Sequence, residues 1–342
     1  LSYTIDIYFG KIRPTKELFS FLAFVSFFPQ LVAGPIERAK NLLPQFYIIR
    51  SINYESLRSG LYLMTLGFFK KIVIADRLSL FVNAAYNDIS TIDGLVTFLA
   101  IIFFAFQLYF DFSGYSDIAI GASRTLGFNL SRNFNSPYLS KSFSEFWTRW
   151  HISLSSWFRD YLYIPLGGNK TSNFMLKRNI FIVFIISGLW HGASWNFIIW
   201  GFINGAFVIF LNPLIISDIN SISGKIFKPI FVSLAWALSL VFFRAQTLED
   251  AFKIYGNLLK GNNNIIYNYN LNYIEFTFTI SILILYMCFE IIKEVKPNIV
   301  SQFSKLNVLI KWPVYIFIIL FIVFFGSYGV GIDDSNFIYF QF

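Results

Sequence analysis

The sequence predicts an all-α, polytopic transmembrane protein, on three observations. First, 56% of the 342 residues are hydrophobic and only 13% are charged, whereas an ordinary soluble domain carries about 25% charged residues. Second, several stretches reach the roughly 20 consecutive apolar residues that a spanning helix needs. Third, those stretches are continuous rather than alternating. A bilayer admits only helices or closed barrels, so they are read as helices. With 44 phenylalanines, the composition describes an integral membrane protein rather than a soluble one with a large core. No internal repeat and no linker divides the chain, so residues 1–342 are expected to form one domain. No charged segment leads into a short apolar one at the N-terminus, so a cleavable signal is not expected.

Taken in order, a first helix is predicted at about 18–33, ending near Gly34-Pro35. A second apolar region, about 57–83, is interrupted by Lys70-Lys71 and Asp76-Arg77, which suggests a short span plus an interfacial portion. A third run, about 95–110, ends in the polar aromatic segment FDFSGYSD. Asp111 and Asp117 bracket FSGYS there; intramembrane acids of this kind commonly serve structure through paired hydrogen bonds, with a proton relay as the alternative. Further spans are predicted at about 180–211, 228–243, 275–292 and 312–328, with a polar loop, GNNNIIYNYNLN, at 261–272. The single cysteine, Cys288, sits in an apolar run and reads as ordinary helix packing. It excludes an intrachain disulfide framework, and no histidine-containing metal pattern accompanies it.

Segment 142–163 reads as one amphipathic helix, and an aromatic, basic helix of this kind most often simply lies in the membrane interface. Ser142 and Glu145 have the spacing of a capping box. At 100° per residue, the apolar side chains from Phe143 to Tyr161 fall within about 120° of arc. His151 then lies at the edge of that stripe, and Pro165 with Gly167-Gly168 ends the segment. The 180–211 run is too long for its setting. As one straight helix it would measure about 48 Å, against a hydrocarbon core of about 30 Å. It must tilt strongly, break or re-enter, and Gly188 and Gly192 bracket the expected break with His191 between them. The same two glycines have the G-x-x-x-G spacing of close helix packing, and the two readings are compatible.

The chain has two histidines, each directly after a tryptophan: Trp150-His151 and Trp190-His191. His191 is the one titratable side chain between Ile180 and Leu211. A histidine at membrane depth is a functional candidate by default, and its ordinary pKa of about 6.5 suits proton transfer near neutrality. Charge is uneven as well. Between Arg124 and Arg178, eight basic residues face only Glu145 and Asp160, and this stretch supplies most of the net charge of +8. Such a basic connection suggests the cytoplasmic side and contact with anionic lipid headgroups, or attraction of a polyanionic donor. Nucleic-acid binding does not fit so apolar a chain.

At these residues the chain resembles a known family. WTRWHISLSSWFRDYLYIPLGGNK (147–170) followed by SGLWHGASWNFIIWG (187–201) is similar to the membrane-bound O-acyltransferases, nearest their alginate O-acetyltransferase branch. FFPQLVAGPIER (27–38), FDFSGYSDIAIGASRTLGFNL (110–130) and FIYFQF (337–342) match as well, so the likeness covers essentially the whole chain. The IPLGGN ending favours the polysaccharide-acetylating branch over the branch that transfers D-alanine. LSYTIDIYFGK resembles an internal segment of the family, which carries several more helices before it, and the chain is expected to lack them.

The resemblance implies helices around a central tunnel in a bacterial inner membrane. It implies transfer of an acetyl group from a cytoplasmic thioester donor, acetyl-coenzyme A or an acyl carrier, to a hydroxyl of an exported or cell-surface polysaccharide, in some members through a periplasmic acetyltransferase partner. No tightly bound cofactor or metal is implied. His191 matches the family's invariant histidine and is expected to be the general base; His151 matches the second conserved position and would orient His191, polarise the thioester carbonyl or bind the acceptor. Trp150 and Trp190 are expected to hold the rings and exclude water. Asn196 and Ser187 are expected as hydrogen-bond partners. Arg149 and Arg159 are candidates for the donor's phosphates, since guanidinium suits them, with positive-inside anchoring as the competing role. The same fold acting with D-alanine, or on peptidoglycan or lipid, is the alternative within enzymes. Outside enzymes it is a proton-coupled transporter subunit; the lack of repeated halves weighs against that.

Overall fold

The computed structural model describes residues 1–51, 53–216, 222–261, 269–328 and 337. Among the described residues every regular element is helical. Among them, six helices are long and apolar enough to cross a membrane: Gly94–Thr125, Asn173–His191, Trp195–Leu214, Gly224–Arg244, Tyr273–Val295 and Val308–Phe325. Of the expected polar loop, residues 262–268 lie outside the described residues, as does 337–342 apart from Phe337.

Gly94–Thr125 is the central helix. Asp93 caps it by accepting from the Val96 N–H at 3.0 Å, and its apolar window is 72% buried. Its 32 residues run straight through FDFSGYSD, where the sequence reading expected a span to end. The two acids of that segment do not end the helix; they face the preceding one. Tyr54–Phe68 continues through a π-helical turn, Phe69–Ala75, into Asp76–Asn87 without a break. The helix therefore runs unbroken through the charges expected to interrupt it. Lys70 Nζ pairs with Asp117 at 2.6 Å. Lys71 pairs with Asp111 at 2.7 Å and with Asp76 at 2.8 Å. Charges that look like a span boundary in sequence are partners between adjacent helices. The approach is made close by glycines: a Cβ on Gly67 would lie 2.6 Å from the Gly114 carbonyl oxygen, and one on Gly60 2.6 Å from that of Gly121.

The first predicted helix is shorter than expected, Leu18–Val25 followed by a 3₁₀ turn at Phe28–Gln30. Pro29, inside that turn, lacks the N–H that would extend the helix, and the Ser26 hydroxyl bonds back to the Leu22 carbonyl at 2.7 Å. Cys288 lies exposed on Tyr273–Val295.

The overlong run breaks as its length requires. Asn173–His191 stops at Gly192, and Ser194 caps the returning helix Trp195–Ala206 through the Asn196 N–H at 3.3 Å. Gly188 lies before the break and serves packing. A Cβ there would sit 2.1 Å from the Phe197 carbonyl oxygen, and one on Gly201 2.3 Å from that of Phe184. Gly188→Ala is expected to force the hairpin apart at a cost of about 1–3 kcal/mol, read as a lower thermal unfolding midpoint in detergent. An unchanged midpoint would count against the close approach.

The largest departure concerns 142–163, which is not one helix. Phe143–Arg149 begins where expected, with Ser142 Oγ accepting from the Glu145 N–H at 3.1 Å. The Glu145 carboxylate reaches back to the Lys141 N–H rather than that of Ser142. The helix then breaks. Trp150 is extended and His151 left-handed, at φ 41° and ψ 55°, before Ile152–Phe158 and a π-helical turn, Arg159–Tyr163. The single apolar stripe with His151 at its edge is thereby lost.

Candidate active site

The break at Trp150-His151 would leave backbone groups unpaired in an apolar interior. An extended segment supplies them. The Asn135 N–H donates to the Arg149 carbonyl and the Ile152 N–H donates to the Asn133 carbonyl, both at 2.9 Å. This brace fixes the reversal that presents His151. The imidazole is buried, 4% exposed. Phe112 meets it edge-on with centroids 4.7 Å apart, and Phe134 and Trp190 lie at 6.5 and 6.4 Å. Its Nδ1 is 3.0 Å from Asn133 Oδ1.

His191 arrives from the other direction, as the last residue of its spanning helix. Four aromatic rings surround it: Phe243 at 5.0 Å, Trp190 at 5.1 Å, Trp200 at 5.3 Å and Phe197 at 6.3 Å between centroids.

Both histidines line one cavity of about 230 Å³. Trp147, Trp150, Trp200, Trp236 and Phe243 make up much of its wall, and Ser155 and Ser187 add hydroxyls. Arg159 and Tyr163 stand where the wall reaches the basic segment, Arg159 being 62% exposed. The cavity thus brings two imidazoles together within an aromatic wall, with a guanidinium at its rim.

The other residues singled out in sequence divide. Trp150 is buried and stacks on Phe146 at 5.7 Å, while Trp190 is half exposed and stands between the two histidine rings. Asn196 donates to the Ala245 carbonyl at 2.7 Å, tying the tip of the hairpin to the next helix end. Arg149 makes a two-pronged pair with Glu294 at 2.7 and 3.0 Å and a further one with Glu145 at 2.8 Å. The bond to Glu294, outweighing burial and joined by Glu145, holds the guanidinium's pKa above its ordinary value. Arg149 thus ties the broken segment to Tyr273–Val295 and does not line the cavity. Arg159 shares Asp160 with Arg38, which lies 2.5 Å from that carboxylate. Burial raises the Asp160 pKa, but Arg159 and Arg38 together carry it below the usual carboxylate range.

Sequence reasoning missed Asn133, Trp236 and Phe243. Trp236 and Phe243 look like any aromatic residue of a span. Asn133 lies in SRNFNSPY, a polar stretch that nothing in sequence separates from an exposed loop.

The profile of the family described as MBOAT, membrane-bound O-acyltransferase family, matches residues 12–214. The chain is 42% identical over 260 residues to a probable alginate O-acetylase of Azotobacter vinelandii, covering 75% of this chain and 50% of that protein. It is 39% identical over 264 residues to a peptidoglycan O-acetyltransferase of Helicobacter pylori, covering 71% and 48%. A teichoic acid D-alanyltransferase of Bacillus subtilis is 30% identical over 201 residues, 56% and 51% of the two chains. The chain spans about half the length of the curated relatives it matches. With both Trp-His pairs inside the matched region and both histidines lining one cavity, the chain belongs to the membrane-bound O-acyltransferase family.

Proposed function

We propose that this chain carries the acyl-transfer centre of a membrane O-acetyltransferase acting on a bacterial cell-surface or exported polysaccharide, in the inner membrane. The observation that carries the reading is the meeting of His151 and His191 at one aromatic cavity with Arg159 at its rim. The acceptor's hydroxyl oxygen attacks the thioester carbonyl of acetyl-coenzyme A or an acetylated carrier. His191 takes the hydroxyl proton, the carbon–sulfur bond breaks, and the proton passes to the departing thiolate. A neutral hydroxyl is a poor nucleophile, and a positioned base typically contributes 10²–10⁴-fold. The aromatic wall keeps out water that would hydrolyse the thioester. Arg159 and the basic stretch around it suit a phosphorylated donor on the cytoplasmic side.

The relatives named for alginate and for peptidoglycan both act with acetyl groups by name, which favours acetyl over D-alanine. The peptidoglycan relative keeps that acceptor as the second reading. Delivery to the acceptor through a periplasmic acetyltransferase is part of the same proposal. The test is consumption of radiolabelled acetyl-coenzyme A by proteoliposomes holding the protein, with alginate or peptidoglycan fragments supplied as acceptor. Label is expected to leave coenzyme A, and Arg159→Ala is expected to raise KM for acetyl-coenzyme A roughly tenfold with kcat little changed, as loss of a charged contact predicts. Proton flux without acyl transfer would instead identify a transporter.

A further inference from the structure

We propose that Asn133 is a positioning residue that locks His151 into one tautomer, with the proton on Nδ1 and a bare lone pair on Nε2. The inference rests on the reading of His151 as part of the acyl-transfer centre. Asn133 is fully buried on the brace across the helix break. Its Oδ1 lies 3.0 Å from His151 Nδ1 and 2.9 Å from Ser153 Oγ. Its Nδ2 donates to Ser116 Oγ, on the central helix, at 3.0 Å. The two ends of an amide are told apart by their partners, and here the backbone decides. The Ser153 N–H points at the same Asn133 atom at 3.4 Å. A backbone N–H can only donate, so the atom it faces is the oxygen.

That oxygen has no proton to give, so the proton in its bond with His151 belongs to Nδ1. Ser153 Oγ is closer to Oδ1 than to Nδ1, 2.9 against 3.4 Å, so its hydroxyl proton goes to Oδ1 too. A neutral imidazole protonated on Nδ1 is an acceptor at Nε2, the nitrogen on the far side of the ring from Asn133. His151 therefore accepts a hydrogen bond in the cavity it lines, from the incoming hydroxyl or from an amide N–H of the donor arm. A neutral His151 held this way cannot donate to the thioester carbonyl. Of the roles expected for it, carbonyl polarisation by the neutral ring drops out, and those in which Nε2 accepts a hydrogen bond are left.

Because the chain holds two histidines, His191→Ala leaves His151 as its one imidazole. Ring-¹⁵N-histidine labelling of that protein in nanodiscs then reads its tautomer without any activity. Above neutral pH the Nδ1–H form is expected. Asn133→Asp places a carboxylate at Nδ1 and is expected to move the His151 titration upward by about one pH unit or more, since an opposite charge favours the protonated ring. Asn133→Ala is expected to release a mixture of tautomers. An Nε2–H signal with Asn133 in place would overturn the inference, and that measurement needs no Asn133 variant to fold. Undiminished acetyl transfer by His151→Asn, found together with the Nδ1–H signal, would remove His151 from the reaction and leave the tautomer assignment standing.

Discussion

Replacing His191 with alanine is expected to lower acetyl transfer by about 10²–10⁴-fold, the range that a positioned general base supplies. The side chain ends a spanning helix, is ringed by Phe197, Trp200 and Phe243, and lines the cavity it shares with His151. Its truncation enlarges an existing cavity, and the rings around it still pack on one another, Phe243 lying 5.1 Å from Phe197 and 5.3 Å from Trp200 between centroids, so the fold is expected to survive. The measurement is turnover of acetyl-coenzyme A by inserted, monodisperse protein. The loss should fall on kcat more than on KM, because a base acts on the transition state rather than on binding. Near-normal turnover in such a protein would end the base assignment.

The second large effect concerns folding rather than chemistry. Asp117→Ala is expected to destabilise the protein by about 3–5 kcal/mol, the cost of leaving one partner of a buried ion pair unmatched. Lys70 is 5% exposed, with its ammonium 2.6 Å from the Asp117 carboxylate. The rings of Tyr109 and Tyr286, 5.9 and 5.8 Å away, give it only partial compensation. The double variant Lys70→Met with Asp117→Leu is expected to recover most of the loss, since well-packed apolar groups commonly match a buried pair. Unfolding in detergent measures both. An Asp117→Ala protein as stable as its parent would show that the pair contributes nothing.

These two residues mark the limits of what the sequence discloses. His191 was legible because one titratable side chain in 32 apolar residues stands out, and because the run's length forces a break near it. The hairpin at Gly192–Ser194 follows from membrane thickness, a constraint that acts on sequence directly. Asp117 was half legible. Its place in an apolar context pointed to a structural partner, but the partner is Lys70, 47 positions away. Read locally, Lys70-Lys71 and Asp111 looked like span boundaries. Their cancellation across a helix crossing removes the boundary, and the crossing depends on Gly60, Gly67, Gly114 and Gly121, which sequence does not pair. His151 shows a third case. Residues 142–163 keep a good helical stripe, so periodicity predicts one helix. The break is stabilised from outside, by Asn133 and Asn135, and no local pattern carries that information.

The left-handed backbone at His151 acts as a filter on which substitutions the position tolerates. A positive φ of 41° costs an ordinary L-residue about 1–2 kcal/mol, most of all when it is β-branched or bulky, whereas glycine, asparagine, aspartate and histidine adopt it more readily. Random change at this codon is thus steered toward a short set of residues, most of them hydrogen-bonding. Three of those four keep a polar side chain at this position. A turn that takes no part in the reaction thereby shields the chemistry of this position from drift toward leucine or valine, which the greasy surroundings alone would welcome.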